Sequence, residues 1–316
     1  MNMCCKSNDF IKSLECNSFE QIKKIPKSDW HNHATMGGSA NYLSRLIGVN
    51  IIPKKMYADL DDITLWGYKN HVPSLDTLDG YLKRIQASFV QASDDNIEKL
   101  ALNFYYSEVF MFREVNLFIN IIERFHRKYA PKTLLYPELS IKWTDDPKIL
   151  INMISEIISY NWFKSIDICG IELAQPAQNF IEIYRLAKNN NLLLKAHVGE
   201  TGTANDIMET IELLHLSQIH HGIAAVNSKY VIKYLVENQI QLNICPTSNI
   251  KLGLISDYYS HPIKKLYLSG VKVTLNTDDM LCFNSSVSEE YYKLFLAGTL
   301  SAQELNEIRI YGLMNS

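Results

Sequence analysis

The chain has 316 residues, of which 47% are hydrophobic and 21% are charged, as in a globular protein with a sizeable core. Its formal net charge of −3 offers no basic excess for holding a phosphate backbone, which excludes nucleic acid as the main partner. No apolar run approaches the ~20 residues of a membrane span, and the six cysteines lack metal or disulfide spacing, so we expect a cytoplasmic protein with reduced thiols and no membrane partner.

Short β-like runs alternate with longer helical patterns from residue 27 onward. Strands are predicted at 27–33, 106–112, 133–141, 166–173, 192–197, 218–221, 240–245 and 271–276. Helices between them are predicted at 177–189, 204–215, 228–238 and 261–269. Such alternation is typical of a parallel sheet, and eight units predict an α/β fold of the closed (β/α)8 TIM-barrel type, formed by a single domain over residues 1–316.

One connection is much longer than the others. It runs from residue 34 to residue 105, between the first and second predicted strands, with helical patterns at 74–92 and 95–104. A structureless loop of that length is rare in a compact domain. We therefore expect a helical insertion that forms a lid over one mouth of the barrel.

The first predicted strand ends with His31-Asn32-His33. Side chains alternate along a strand, so both imidazoles point to the same side. Two neutral imidazoles that converge in this way suit a zinc ion, although two histidines near a turn would give the same triplet. His31 and His33 are therefore candidate zinc ligands.

The strand predicted at 192–197 ends in His197, and Glu200 follows three residues later. We expect His197 at the mouth of the barrel and Glu200 on the loop above it. A carboxylate near a metal and under a lid can act as both acid and base. A surface Glu that follows a buried His is the alternative that this spacing leaves open.

His220 and His221 end the next strand and precede Gly222. The glycine permits a tight turn, which can bring a histidine close to a ligand. Neighbouring side chains on a strand point to opposite faces, so we expect at most one of the pair to enter the barrel.

The strand predicted at 240–245 runs into Cys245-Pro246-Thr247-Ser248-Asn249. A proline followed by hydroxyl and amide residues is typical of a strand end and a helix cap, so we expect a structural role for this segment. No activating partner for a Cys245 nucleophile is evident in the sequence.

Asp278 and Asp279 follow the last predicted strand. Paired carboxylates there are costly unless they bind something, so one could ligate a metal while the other faces the pocket. A pair of turn aspartates is the alternative. Every cluster described above falls at the C-terminal end of a predicted strand, the face on which (β/α)8 enzymes build their sites. Three histidines and one aspartate also make a plausible zinc set with room for a water molecule.

In chain order, the motifs H-x-H, H-x-G-E, H-G, C-P-T-S-N and L-N-T-D-D resemble those of the adenosine and AMP deaminase family. The resemblance extends from about residue 25 to residue 316, and segments 106–109 and 170–174 look like the family's second and fourth strands. It implies a hydrolase acting on C–N bonds of cyclic amidines, with one zinc ion (Zn2+) per chain in a (β/α)8 barrel under a helical lid.

The resemblance also implies a role for each matching residue. The zinc ligands would be His31, His33, His197 and Asp278. Glu200 matches the residue that delivers a proton to the purine N1. His221 matches the histidine that orients and helps to deprotonate the zinc-bound water, and Asp279 matches the residue that hydrogen-bonds the purine ring.

The implied reaction is the deamination of a small-molecule 6-aminopurine nucleoside, adenosine or deoxyadenosine, by attack of a zinc-bound hydroxide at C6. AMP, adenine and a 5′- or N6-modified adenosine are alternative substrates. A non-catalytic nucleoside-binding protein of the same fold is a further alternative, but the candidate ligands, acid and base are all present, which favours an enzyme.

The sequence departs from the family pattern around the expected sugar and purine contacts. After H-x-H the family continues with Leu-Asp-Gly, whose Asp contacts the ribose 5′-hydroxyl, whereas residues 34–39 here contain no carboxylate. This difference leaves a 5′-phosphate or another 5′-substituent open. Gln175 replaces a family glycine, and we expect its side chain to narrow the pocket or to offer new hydrogen bonds.

Overall fold

Eight parallel strands form the centre of the computed structural model, which describes residues 3–70, 72 and 77–314. The strands pair in chain order: β1 Lys27–His33, β2 Ile97–Tyr105, β3 Leu134–Lys142, β4 Ser165–Cys169, β5 Leu193–Val198, β6 Gln218–His221, β7 Gln241–Ile244 and β8 Lys272–Leu275. Beyond β8 the chain returns to β1, where the Asp278 backbone N–H donates to the His31 carbonyl at 3.0 Å. This contact closes the sheet, and the predicted (β/α)8 barrel is confirmed.

Helices surround the barrel and cover its outer face. They are α1 Met3–Glu15, α2 Phe19–Lys23, α3 Ala40–Ile47, α4 Leu60–Lys69, α5 Leu78–Asp94, α6 Tyr106–Phe110, α7 Val115–Tyr129, α8 Pro147–Ser159, α9 Ile181–Asn189, α10 Ala204–Leu214, α11 Lys229–Glu237, α12 Pro246–Lys251, α13 Ile263–Leu268, α14 Met280–Phe283, α15 Val287–Leu296 and α16 Ala302–Met314. None of these described helices combines the length and apolar character that a bilayer crossing requires.

Seven of the eight predicted strands overlap observed ones, and the prediction for the second strand is wrong. Residues 106–110 form α6, whereas β2 occupies 97–105, where a helix was predicted. In β2 the apolar residues Ile97, Leu100, Ala101 and Phe104 are spaced as on one face of a helix. The strand is buried on both faces, so it lacks the simple alternation that identifies a half-exposed strand.

The connection between β1 and β2 is helical, as expected, but it is shorter than predicted, because β2 already begins at Ile97. It carries α3, α4 and α5, while residues 74–76 of the helix predicted at 74–92 lie outside the described residues. Leu43 and Trp66 of this insertion share an apolar cluster with Leu281 and Phe283, which follow β8. The insertion is therefore anchored at the C-terminal mouth of the barrel, and its opening as a lid stays a prediction.

The main apolar core lies between the barrel and its helices rather than inside the barrel. On one side, Phe118 of α7 is fully buried and packs edge to face against Phe104, with ring centroids 5.4 Å apart, and against Trp162 at 5.7 Å. Inside the barrel, by contrast, the buried side chains include Glu138, Asp167 and Lys195. Charged residues in a barrel interior need specific partners, which the candidate site provides.

Replacing Phe118 with Ala should remove this aromatic contact and leave a cavity, lowering the free energy of unfolding by about 3–5 kcal/mol. Leu117 is the matched control, because it is the next residue on α7 and is 47% exposed; Leu117→Ala should change stability by less than about 0.5 kcal/mol. Urea denaturation followed by circular dichroism measures both. Equal losses in the two variants would contradict the packing described here.

Candidate active site

Four side chains from distant parts of the chain converge at the C-terminal mouth of the barrel. His31 and His33 come from the end of β1, His197 from β5, and Asp278 from the segment after β8. The Asp278 Oδ1 atom lies 3.4 Å from the Nε2 atoms of both His31 and His33. The Nε2 atoms of His31 and His197 are 3.1 Å apart. The structure thus brings together all four residues that the sequence suggested as metal ligands.

The spacing of these atoms suits a tetrahedral metal ion. With metal–ligand distances of about 2.0–2.1 Å, neighbouring ligand atoms in such a site lie about 3.3–3.4 Å apart. The observed separations of 3.1 to 3.4 Å are close to that value. Burial and the nearby His220 hold the pKa of His31 well below its usual value, so this ring is neutral and offers a lone pair. Three nitrogens and a carboxylate oxygen are a donor set that zinc accepts.

Left-handed backbone conformations direct the side chains of His221 and Asp278 into the mouth of the barrel. His221 has φ +62° and Asp278 has φ +57°, in a region that few non-glycine residues occupy. At His221 this conformation interrupts the alternation of the strand, so both His220 and His221 face inward, and the expectation that at most one would do so is wrong. Strain of this kind is typical of functional sites.

Asp167 of β4 orients one of the candidate ligands. Its Oδ2 atom lies 3.0 Å from Nδ1 of His197, and the Trp143 indole donates to the His197 carbonyl at 3.2 Å. A proton shared with Asp167 on Nδ1 leaves the Nε2 lone pair of His197 free for a metal. Sequence reasoning missed Asp167, although a carboxylate at the centre of the apolar strand β4 was a usable signal.

A fully buried ion-pair network lies directly beneath these residues. Glu138 contacts the Lys195 ammonium at 2.6 Å and the His220 imidazole at 3.0 Å. Burial alone would raise the pKa of Glu138, but Lys195 and His220 hold it well below its usual value. The His220 ring in turn stacks on His31 with centroids 3.9 Å apart. The network therefore supports the candidate metal centre from inside the barrel.

Glu200 lies beside the candidate metal centre in a state suited to proton transfer. Its Oε1 atom is 3.5 Å from His221 Nδ1 and has no hydrogen-bond partner among the described residues. Burial, together with the negative charge of Asp278, raises the pKa of Glu200 to about 8. Glu200 is therefore largely protonated near neutral pH, as a general acid requires.

The loop that carries Glu200 is held by a second carboxylate, Glu172. Its Oε2 atom accepts hydrogen bonds from the backbone N–H groups of Thr201 at 2.8 Å, Gly202 at 3.0 Å and Glu200 at 3.2 Å. Several such bonds to one carboxylate fix the loop without a regular secondary structure. The sequence offered no signal for this role, because Glu172 follows β4 and reaches a loop 27 or more positions away.

Gln175 and Asn249 make side-chain hydrogen bonds whose partners the sequence did not specify. The Gln175 amide does not line the cavity; it donates to the carbonyls of Trp143 at 2.9 Å and Asp145 at 2.7 Å. Asn249, in the segment expected to be structural, places its Nδ2 atom 3.2 Å from His221 Nδ1. Burial raises the pKa of Cys245 well above its usual value, which agrees with the absence of a nucleophilic role.

A cavity of about 410 Å³ opens above the converging residues. Its apolar wall comes largely from the insertion, with Leu60, Ile63 and Val72. Its polar wall includes Asp279, whose pKa burial raises to about 6. A larger groove of about 830 Å³ also borders Glu200, but none of the four converging residues lines it. The smaller cavity is therefore the one that can hold a molecule against them.

Glu108 is a carboxylate of this cavity that sequence reasoning did not identify. It is half-buried, it accepts a hydrogen bond from the Tyr81 hydroxyl at 3.4 Å, and burial raises its pKa to about 7. With Glu200, Asp278 and Asp279, it makes four carboxyl groups among the described residues that line the cavity. Among the described lining residues, Lys142 is the one lysine or arginine.

Comparison with known proteins matches residues 154–316 to the family model described as adenosine deaminase. A Treponema pallidum protein, provisionally named adenosine/adenine deaminase, is 29% identical over 90% of this chain and 96% of its own length. The adenosine deaminase of Clostridium acetobutylicum is 36% identical over 52% of this chain and 50% of its own. The crystal structure of an adenine deaminase from Arthrobacter aurescens has a TM-score of 0.79 at 20% identity, covering 92% of this chain and 93% of the other.

Replacing Asp167 with Asn should weaken zinc binding by about 10–100-fold, because the partner of His197 Nδ1 loses its charge and one acceptor oxygen. Competition with a chromophoric chelator measures the affinity. Asp94→Asn, at an exposed position of α5, is the matched control and should leave it unchanged. An unchanged affinity in the Asp167 variant would show that Asp167 does not act on His197.

Proposed function

Because the chain belongs to the adenosine deaminase family, we propose that it removes the 6-amino group of a purine nucleoside, adenosine or deoxyadenosine, with one zinc ion held by His31, His33, His197 and Asp278. The observation that carries the proposal is the convergence of these four groups next to a cavity that His33, His197 and Asp278 line together with Glu200. A zinc ion held there would act as a Lewis acid and would lower the pKa of a water molecule from about 15.7 to about 7.

Glu200 is the general acid in this mechanism. Its proton passes to N1 of the purine, which reduces the aromatic character of the ring and makes C6 a better electrophile. A C6–O bond to water then forms, the C6–N bond breaks and ammonia leaves. Once it has given up its proton, the Glu200 carboxylate can accept one from the water, so the water's two protons account for the new hydrogens on N1 and on ammonia.

His221 and Asp279 act on the two sides of the reacting carbon. His221 Nε2 lies 3.7 Å from Asp278 Oδ2, so a water molecule beside this carboxylate would be within reach of the imidazole. Asp279 lines the cavity, and in this mechanism its carboxyl group would hydrogen-bond the purine ring. The wall formed by Leu60, Ile63 and Val72 excludes water from the bound purine, which strengthens these polar contacts.

The charge of the cavity favours a neutral nucleoside over a nucleotide. At neutral pH Asp279 is largely ionised and Glu108 partly so, and both would repel a 5′-phosphate, with Lys142 as the one described lysine or arginine there. Adenine is the second candidate substrate, because residues 34–39 provide no carboxylate for a sugar hydroxyl. Glu108, in the same cavity, could supply such a carboxylate, which is the reason for preferring a nucleoside.

Zinc-loaded protein should release ammonia from adenosine or deoxyadenosine faster than from AMP, adenine or 5′-methylthioadenosine, and faster than it releases methylamine from N6-methyladenosine. Glu200→Gln should lower kcat by about 10²–10⁴-fold, because the amide cannot deliver the proton. Glu209→Gln, at an exposed position of α10, is the matched control and should leave the rate unchanged. A coupled ammonia assay measures all three proteins.

The same six substrates also distinguish the alternative functions. Preferred turnover of adenine or AMP would overturn the nucleoside assignment while keeping the reaction. Neither ammonia nor methylamine from any substrate, with zinc confirmed in the protein, would contradict the proposed deamination and favour a nucleoside-binding role.

The pH dependence follows from the state of Glu200. The reaction needs the protonated acid, and the pKa of Glu200 is raised to about 8, so kcat/KM for adenosine should be retained at neutral pH and decline as the pH rises through about 8. Initial rates between pH 6 and pH 10 measure the profile. A decline already centred near the ordinary pKa of a glutamic acid would contradict this assignment.

A further inference from the structure

A chain of hydrogen bonds leads from the start of α13 to His221. The Ile263 backbone N–H donates to His261 Nδ1 at 3.1 Å. His261 Nε2 lies 3.3 Å from Asn249 Oδ1, and Asn249 Nδ2 lies 3.2 Å from His221 Nδ1. All three side chains are buried, with exposed fractions of 2% for His261, 0% for Asn249 and 1% for His221. Water therefore does not compete for these contacts.

The Ile263 backbone N–H can only donate, so it determines which atom is donor and which is acceptor in every hydrogen bond of this series. His261 Nδ1 must therefore accept, and a proton on it would face the Ile263 N–H, so the neutral His261 ring carries its proton on Nε2. That N–H requires an acceptor, which orients the Asn249 amide with its oxygen toward His261. The amide nitrogen then faces His221 and donates to its Nδ1.

We infer that Asn249 and His261 are positioning residues that hold His221 in the tautomer with its proton on Nε2, so that His221 donates a hydrogen bond at the reaction centre and does not remove a proton from the attacking water. The inference rests on the proposed deaminase function. It revises the base role that the family resemblance implies for His221.

The surroundings of Nε2, on the other side of the His221 ring, agree with a hydrogen-bond donor at this atom. His221 Nε2 faces the Asp278 Oδ2 oxygen at 3.7 Å, whereas Oδ1 of the same carboxylate faces His31 and His33. An N–H aimed at this place stabilises negative charge that develops on the attacking oxygen. Because Asn249 already occupies the lone pair on Nδ1, the proton of Glu200, 3.5 Å away, stays available for the substrate.

Asn249→Asp is the decisive variant, because it keeps the size of the side chain and exchanges a donor for an acceptor. The aspartate accepts a hydrogen bond from His221, which requires a proton on Nδ1 and inverts or charges the ring. In a serine protease, a wrong histidine tautomer lowers kcat by about 10⁴-fold. We expect kcat for adenosine to fall by about 10²–10⁴-fold here, with KM changed less than about threefold and zinc retained.

Two further variants separate positioning from a general loss of structure. His261→Leu removes the donor that fixes the Asn249 amide and should lower kcat, whereas His261→Gln keeps an N–H donor and should restore most of it. Asn152→Asp, at an exposed position of α8, is the matched control for the charge change and should leave kcat unchanged. The zinc content and urea denaturation of each variant are measured alongside.

Nitrogen-15 NMR of histidine-labelled, zinc-loaded protein reads the tautomer directly, with His221→Gln identifying the signal. We expect Nε2 of His221 to be protonated and Nδ1 to be bare in the wild type, and Nδ1 to be protonated in Asn249→Asp. A merely structural role would lower stability without changing this pattern. A wild-type His221 protonated on Nδ1, or an unchanged kcat in Asn249→Asp, would overturn the inference. If the wild type deaminates no purine, the proposed function fails, but the NMR measurement still tests whether the hydrogen bonds from Ile263 to His221 fix the tautomer.

Discussion

The barrel closes through one of the residues that form its candidate metal centre. Asp278 donates its backbone N–H to the carbonyl of His31, which joins the end of the sheet to its beginning, and its carboxylate lies against His31 and His33. The same residue thus completes the fold and the donor set. Any change that separates β1 from the segment after β8 would also move the candidate ligands apart. The fold and the site therefore both depend on this contact between the two ends of the sheet, which we call the seam.

Polar groups inside the barrel make this arrangement specific. Removing one partner of a buried ion pair such as Glu138–Lys195 leaves an uncompensated charge, at a typical cost of about 3–5 kcal/mol. An apolar interior could be equally stable, but it would not hold His197 through Asp167 or stack His220 on His31. The buried charged groups of this network thus hold the imidazole rings in position before a substrate binds.

Sequence patterns predicted the barrel and the convergence of His31, His33, His197 and Asp278, because each lies at the end of a strand and the ends of parallel strands meet at one face. They failed for β2, which is buried on both sides and has a helix-like apolar spacing. They also missed partners that act across the barrel, such as Asp167 and Asn249, since no local pattern records which distant side chain a carboxylate or an amide will face.

The seam also has a consequence for biosynthesis. Asp29 and Thr277, which hydrogen-bond across it, are 248 positions apart in the chain. At about 5–20 residues per second, a ribosome delivers the second residue on the order of 10–50 s after the first. During that interval His31 and His33 have no carboxylate partner from the last strand. The nascent chain therefore has its complete set of donors only after residue 278 has left the ribosome, and a metal ion that arrives earlier meets an incomplete site.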